Sequence, residues 1–281
     1  MLSILFALSS SAPLIPAVRG VSLFWHQWGS GFYTEYSVKQ AISVFNVGII
    51  RAAIGVENDD GALLNPTGAF NNLTNAIDPI LAAGIWGIVD WHQHQIHAQE
   101  AIDFFTKVVD KYKSGNIIYE LYNEPAGPSW SEVKQYALQV IPIIRAANPT
   151  GIILVGTPQW DQKPGDAAAS PIDDKYVVYA LHFYAGTHKQ WLRDDADKAI
   201  ATGIQLFVSE CGGMDASGDG GMGENEWKLW VQWMANNQIG WAVWSLNNKD
   251  ETASLLKPTT NPASWTASDL TSWGTIVKNS I

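Results

Sequence analysis

Eight apolar runs of strand length recur along this chain, separated by longer segments whose apolar residues return every three or four positions. The runs are VRGVSLFW (18–25), VGIIRAAI (47–54), IWGIVDWH (85–92), NIIYELYN (116–123), GIILVGT (151–157), YVVYALHFY (176–184), IQLFVSE (204–210) and IGWAVWSL (239–246). They are apolar at nearly every position instead of alternating, as parallel strands are when helices cover one face and packed side chains the other. Between them, Ala101, Phe105, Val108 and Tyr112 fall on one helical face, with Gly115 as the expected stop. Ser129-Trp130-Ser131-Glu132 reads as a capping box, followed by the stripe Val133, Ala137, Val140 and Ile144. Trp227, Trp230, Val231 and Met234 form a further stripe, read as core packing. Strands alternating with helices in this way predict an α/β chain folded as a (β/α)8 TIM barrel, a single domain over residues 18–281, with any active site at the C-terminal strand ends.

Composition narrows the function. With 47% hydrophobic and 16% charged residues, the chain is not disordered. A net charge of −10 repels phosphate backbones and anionic lipid, so neither nucleic acid nor a membrane is an expected partner. Cys211 is the single cysteine, which excludes an internal disulfide and a cysteine-rich zinc site. Fourteen Trp against nine Phe and nine Tyr is an unusual balance, because a buried indole N–H needs a partner, and it suggests a bound ligand with flat apolar faces. Residues 1–12 (MLSILFALSSSA) carry an apolar run at 2–8 and then small residues, and are expected to be the signal peptide of a secreted, extracellular protein, although no Lys or Arg precedes the run.

Polar residues gather at the ends of the apolar runs, where local sequence gives them no reason to be. Strand two carries Arg51, strand three ends in Asp90-Trp91-His92, strand four in Asn123-Glu124-Pro125, strand six in His182-Phe183-Tyr184 and strand seven in Glu210, while strand eight carries Trp244. Glu124 and Glu210 lie three strands apart in an eight-stranded ring, so they can converge across its mouth. Paired carboxyl groups are what glycoside hydrolysis needs, one to protonate the leaving oxygen and one to attack the anomeric carbon or activate water. A lone glutamate at a strand end would be read as a salt bridge; the pair, set among Arg51, Asn123, His182 and Tyr184, is read as chemistry.

Taken together, IIYELYNEP, LHFYAGTH, FVSE before a glycine-rich loop, and WSLNNKDE resemble glycoside hydrolase family five in its cellulase branch, and the resemblance extends from GVSLFWHQW through IIRAA and IVDWH to the eighth strand. It implies a (β/α)8 barrel and a retaining endo-β-1,4-glucanase, with Glu124 as acid/base and Glu210 as nucleophile. Asn123 would bond the sugar 2-hydroxyl, Arg51 would lie under Glu210, and Tyr184 would donate to the same carboxylate. His182 and His92 would orient the acid/base side and the substrate hydroxyls. Trp244 would floor the sugar at the cleavage point, Trp28 and Trp160 would stack on outer glucosyl rings, and Lys249 and Glu251 would contact hydroxyls. A negative neighbour is expected to keep Glu124 protonated. The substrate implied is a β-glucan polysaccharide or oligosaccharide, handled by a monomer without cofactor or metal. Two departures stand out: Cys211-Gly212-Gly213 replaces the Trp-Gly-Thr usual after the nucleophile, and little chain precedes strand one to supply the hairpin that commonly closes the barrel bottom.

Other readings compete. A β-mannanase or another β-glycanase would use the same fold. His92-Gln93-His94-Gln95-Ile96-His97 invites a metal-dependent hydrolase, although the His-x-His of such barrels normally follows the first strand and not the third. A carbohydrate-binding pseudoenzyme is suggested by Cys211 and the tryptophans, against the presence of both glutamates.

Overall fold

In a computed structural model, the structure describes residues 13–281, so the expected signal peptide at 1–12 lies outside the described residues. All eight runs form strands: β1 (Arg19–Leu23), β2 (Ile49–Gly55), β3 (Trp86–His92), β4 (Ile117–Glu120), β5 (Ile152–Val155), β6 (Val177–Tyr184), β7 (Leu206–Gly212) and β8 (Trp241–Leu246). They pair in parallel and in sequence order, and β8 closes on β1. The helices Glu35–Phe45, Pro66–Ala82, Ala98–Lys111, Trp130–Ala147, Pro164–Ala169, Gln190–Ala201, Glu224–Asn236 and Ser272–Lys278 follow one strand each, giving the predicted (β/α)8 barrel.

Local chemistry sets these elements. Ser129 accepts from the Glu132 backbone N–H while the Glu132 carboxylate accepts from Ser129, so the predicted capping box forms. Val133, Ala137, Val140 and Ile144 are fully buried behind it. Gly115 is not the stop of its helix, which ends at Lys111 with Tyr112 as cap; Gly115, at φ +98°, instead makes the turn into β4. Trp227 and Trp230 are buried as predicted, and Val231 is half-buried. Much of the tryptophan excess goes into this outer layer, where each indole finds an acceptor: Trp227 donates to Ser280 Oγ, Trp230 to the His188 carbonyl and Trp233 to Asp197.

Inside the barrel, Ile49, Ile88, Ile118, Leu154, Val178 and Phe207 fill the lower layer, and Ile15 packs beneath them. Among the described residues, the segment before β1 packs on the barrel bottom through Ile15, and the Leu14 backbone N–H donates to Gln205 Oε1. Above that layer the same inward positions turn polar: Arg51 two residues after Ile49, Asp90 after Ile88, Glu120 after Ile118. A side chain every second residue faces the lumen, so the apolar plug and the polar site are successive rungs of the same strands.

One irregularity breaks this alternation. Ala180 pairs with Phe207 but His182 pairs with Glu210, so β7 carries one residue more than β6 across the same interval. A shift against β8 falls in the same place, between Val208 and Cys211. This bulge lets both Ser209 and Glu210 reach polar partners in the lumen, and returns Cys211 to the outward core.

Candidate active site

The buried centre of the site is Arg51, fully enclosed at the second rung of β2. Its Nε and Nη2 fork the two oxygens of Glu120 at 2.7 and 3.3 Å, Nη1 donates to Glu210 Oε2 at 2.9 Å, and Nη2 also reaches Asn123 Oδ1 at 2.7 Å and Asp90 Oδ2 at 2.9 Å. Burial works against the guanidinium charge, and the three surrounding carboxylates more than restore it. A charge enclosed this completely is tolerable only because each of its three nitrogens meets an acceptor and carboxylates surround it. Asp90 shows the cost: burial pushes it up to about 7 despite Arg51.

Glu210 is held at both oxygens, by Arg51 at Oε2 and by the Tyr184 hydroxyl at Oε1, 2.7 Å away. Two donors and no facing acceptor suit an ionised carboxylate. Burial, and then the charge of Glu210, hold the Tyr184 phenol well above its ordinary range, so it stays a donor.

Glu124 does not sit on strand four. β4 ends at Glu120, and by Glu124 the backbone has turned to φ +44°, with its N–H bonded to Asp161 Oδ2 at 3.1 Å. Asp161, capping the Thr157 N–H at the same time, draws the chain out of the ladder and aims Glu124 into the cleft. Burial raises Glu124 to about 7, with Glu120 adding to the rise while Arg51 and His94 oppose it. The expected acidic neighbour is therefore secondary to desolvation, and the carboxyl group that adds to the rise is Glu120.

His182 links the two halves. Its Nε2 lies 2.8 Å from Ser209 Oγ, which donates to Glu120 Oε1 at 2.6 Å, and its Nδ1 lies 3.1 Å from Glu124 Oε1. Burial depresses His182 to about 4, so it is neutral and carries one proton. With the hydroxyl proton of Ser209 spent on Glu120, the oxygen can only accept from His182, which places the ring proton on Nε2 and leaves a lone pair on Nδ1 facing Glu124. That lone pair favours a protonated Glu124.

Of the remaining predicted residues, Trp28, Trp160, Trp244, Lys249 and Glu251 line the cleft, and His92 is buried against Trp244. Trp244 stacks on His92 at 5.4 Å between centroids, and His92 also packs against a tilted Trp25 at 4.2 Å and is bonded through Nδ1 to Asp90 at 2.6 Å. Trp28 is 51% and Trp160 49% exposed. Trp28 is oriented by Asp59 through its indole N–H; Trp160 is presented by three consecutive left-handed residues, Gln159, Trp160 and Asp161. Lys249 and Glu251 pair with each other at 2.5 Å on the rim. Cys211 is fully buried with its thiol toward the Ala242 carbonyl, and burial pushes the thiol well above its ordinary range.

The loop histidines have another partner. Glu57 accepts from the His94 and Gln95 backbone N–H groups and lies 3.1 Å from His97 Nε2; burial alone would raise it, and the His94 side chain together with the Gln95 and His94 backbone N–H groups carry it to about 2. Among the described residues, the His/Asp/Glu group whose ligand atoms converge is instead Glu124, His182 and Glu210, all within 4.8 Å of one another. Glu120, Ser209 and Asp161 are the members that sequence reasoning missed. For Glu120 a signal existed, a charge in the middle of the apolar run IIYEL, which needs a buried partner.

On either side of the pair lies a lobe of the cleft. One, of about 690 Å³, is lined by Trp244, Trp28, Trp25, Lys249 and Glu251; the other, of about 470 Å³, by Glu124, His182, Trp160 and His188, and Tyr184 borders both.

A parallel barrel whose mouth holds two converging carboxyl groups in unequal environments has the architecture of a glycoside hydrolase. The chain belongs to glycosyl hydrolase family 5, the cellulase family, whose model matches residues 9–250. It is 42% identical over 246 residues to endoglucanase Z of Dickeya dadantii, covering 85% of this chain and 58% of that protein. It is 37% identical to endoglucanase A of Evansella cellulosilytica, covering 94% of this chain and 56% of that one, so it spans somewhat over half the length of these relatives. Among solved structures, one from Cytophaga hutchinsonii superposes with a TM-score of 0.92 at 41% identity, covering 94% of this chain and 88% of that chain. The catalytic domain of Thermobifida fusca endoglucanase Cel5A, solved in complex with cellotetraose, gives 0.89 at 30% identity, covering 94% and 91%.

Proposed function

We propose that this protein is a retaining endo-β-1,4-glucanase that hydrolyses β-1,4-glucan, in cellulose or mixed-linkage glucan, by double displacement. The observation that carries the reading is the meeting of Glu124 and Glu210 oxygens within 4.8 Å, one carboxyl raised to about 7 and the other held by Arg51 and Tyr184. That gap belongs with the roughly 5–5.5 Å of retaining enzymes and not with the roughly 6.5–9.5 Å that leaves room for water in inverting ones.

In the first step Glu210 attacks the anomeric carbon as the glycosidic bond breaks, and the Glu124 proton passes to the departing oxygen. Esterified Glu210 is neutral, and Glu124 is now a carboxylate facing the His182 lone pair. It takes a proton from water as the water oxygen attacks the anomeric carbon, which frees Glu210 and restores the acid. The Glu124 lobe, with Trp160, then receives the leaving-group side of the glucan, and the Trp244 lobe, with Trp28, the glycosyl side. A cleft continuing past the pair in both directions suits cleavage within a chain. Both carboxyl groups, Arg51 and the stacking tryptophans come from one chain, which is in keeping with a monomer.

The names of the relatives support glucan, as does cellotetraose bound to the Thermobifida protein. We also read the protein as secreted, in keeping with the apolar run at 2–8 and with a polymeric substrate that cannot enter a cell; N-terminal sequencing of protein from culture medium tests this. Proton NMR of fresh hydrolysate should show the β-anomer first, and initial α-anomer would overturn the mechanism. Rates across soluble cellulose derivatives, mixed-linkage glucan and mannan should favour the glucans. Glu124→Gln should lower kcat by about 10²–10⁴-fold on natural substrate with KM little changed.

A further inference from the structure

We propose that Glu124, His182 and Glu210 also form an inhibitory site for a borderline divalent cation, Zn2+ or Cu2+, which closes the cleft at the point of bond cleavage. The proposal rests on the reading of Glu124 and Glu210 as the catalytic pair, and it concerns control of that site.

Three observations support it. The donor atoms already converge, one from each residue within 4.8 Å of the others and the tightest pair, Glu124 Oε1 and His182 Nδ1, at 3.1 Å. Ligands bound tetrahedrally to zinc at about 2.0–2.2 Å stand roughly 3.3–3.5 Å apart, so the cluster needs to tighten by about 1 Å. Glu124, with 19% of its side chain exposed to the cleft, can supply the part of that movement that lies between the two carboxyl groups.

The imidazole is arranged as a ligand. Its Nε2 proton is committed to Ser209, itself bonded to Glu120, so Nδ1 offers a lone pair on the side of Glu124, 3.1 Å away, with Asp161 Oδ2 at 3.4 Å. A ring nitrogen facing the ion, with the opposite N–H anchored to a hydroxyl or carboxylate, is how metal-binding histidines are held.

The charge is also suitable. Asp90, Glu120 and Glu210 crowd one guanidinium, with Glu124 and Asp161 beyond them, so a dication relieves repulsion among carboxylates. One imidazole and two carboxylates with an open fourth position match zinc or copper; magnesium and calcium prefer all-oxygen shells of six or more. An ion seated there takes the lone pairs that the acid and the nucleophile need, and it occupies the place of the glycosidic oxygen.

Calorimetric titration of the whole chain with zinc chloride should give one ion per molecule. Glu124→Gln and Glu210→Gln should each weaken binding tenfold or more. Ser209→Ala, which meets the ring on the side away from the ion, should weaken it by about 10–100-fold. A His94→Ala/His97→Ala double variant should bind zinc as the wild type does. Cobalt in place of zinc should give visible absorption that disappears in Glu210→Gln. In kinetics, zinc should raise KM and leave kcat unchanged, while magnesium at equal concentration has no effect. Zinc binding that survives both glutamine substitutions, that is lost in the His94/His97 variant, or that lowers kcat alone would overturn the site. The titrations involve no turnover, so they stand or fall separately from the catalytic reading, which would fail if the glutamine variants hydrolysed glucan at the wild-type rate.

Discussion

Ser209 and Glu210 are neighbours in sequence, yet both side chains enter the barrel, one to receive a hydrogen bond from His182 and the other from Arg51. In a regular strand one of them would face the outer helices. The bulge in β7 therefore brings the control of the proposed acid and the placement of the proposed nucleophile to adjacent residues, with Glu120 and Arg51 completing a path of polar contacts from Glu124 to Glu210.

Removing the Ser209 hydroxyl tests that path. In Ser209→Ala the His182 proton loses its acceptor at Nε2 and is free to move to Nδ1, where it donates to Glu124 and stabilises the carboxylate. The acid should then titrate lower by about one pH unit, the equivalent of roughly 1.4 kcal/mol, a usual worth for a hydrogen bond to a charged group. The measurement is the pH dependence of kcat/KM, whose alkaline limb should move toward acid with KM little affected. An alkaline limb that stays in place assigns Ser209 to packing alone.

The wild-type limb has its own expected position. In the proposed mechanism Glu124 acts when protonated, and its carboxyl group is raised to about 7, so activity should fall as pH rises through that value. In Glu124→Gln, assayed on an aryl cellobioside whose leaving group needs no proton, the limb should vanish from kcat/KM. A limb that persists there belongs to another group.

Arg51 bears on stability as much as on chemistry. Arg51→Met removes the one cation among Asp90, Glu120 and Glu210, and stranding a buried partner costs about 3–5 kcal/mol. The unpaired carboxyl groups would bind protons more tightly in the folded than in the unfolded chain, so the deficit against wild type should shrink as pH falls from 7 to 5. Urea unfolding at the two pH values measures this. Arg51→Lys should recover part of the stability without activity, because a single ammonium cannot fork Glu120 while also reaching Glu210 and Asn123.

How far the sequence foretold this site follows from its geometry. The apolar runs announce the strands because parallel strands are buried on both faces, and Arg51, Glu210 and Trp244 lie on those strands. Glu124 and Asn123 are identifiable as residues but not in place, since the exit from β4 depends on Asp161, which belongs to a loop after a different strand. Ser209 was legible only as a letter in FVSE: an extra residue in a strand leaves no mark on an unbroken apolar run. The likeness of Cys211 to a lost aromatic was legible too, but not the direction in which its side chain points.

That direction yields a final prediction. Cys211 follows the bulge and faces outward into the layer between barrel and helices, with its thiol on the Ala242 carbonyl and no exposed surface. It touches neither the cleft nor the Glu210 carboxylate, so Cys211→Ala should leave kcat/KM within about twofold and lower stability by about 1 kcal/mol, a usual cost for a small buried truncation. The native enzyme should likewise resist thiol reagents, because burial holds the group in its unreactive protonated form. Steady-state kinetics with a thermal melt, and thiol titration before and after denaturation, examine both expectations. A loss of activity much larger than the loss of stability would mean that the thiol reaches the nucleophile after all.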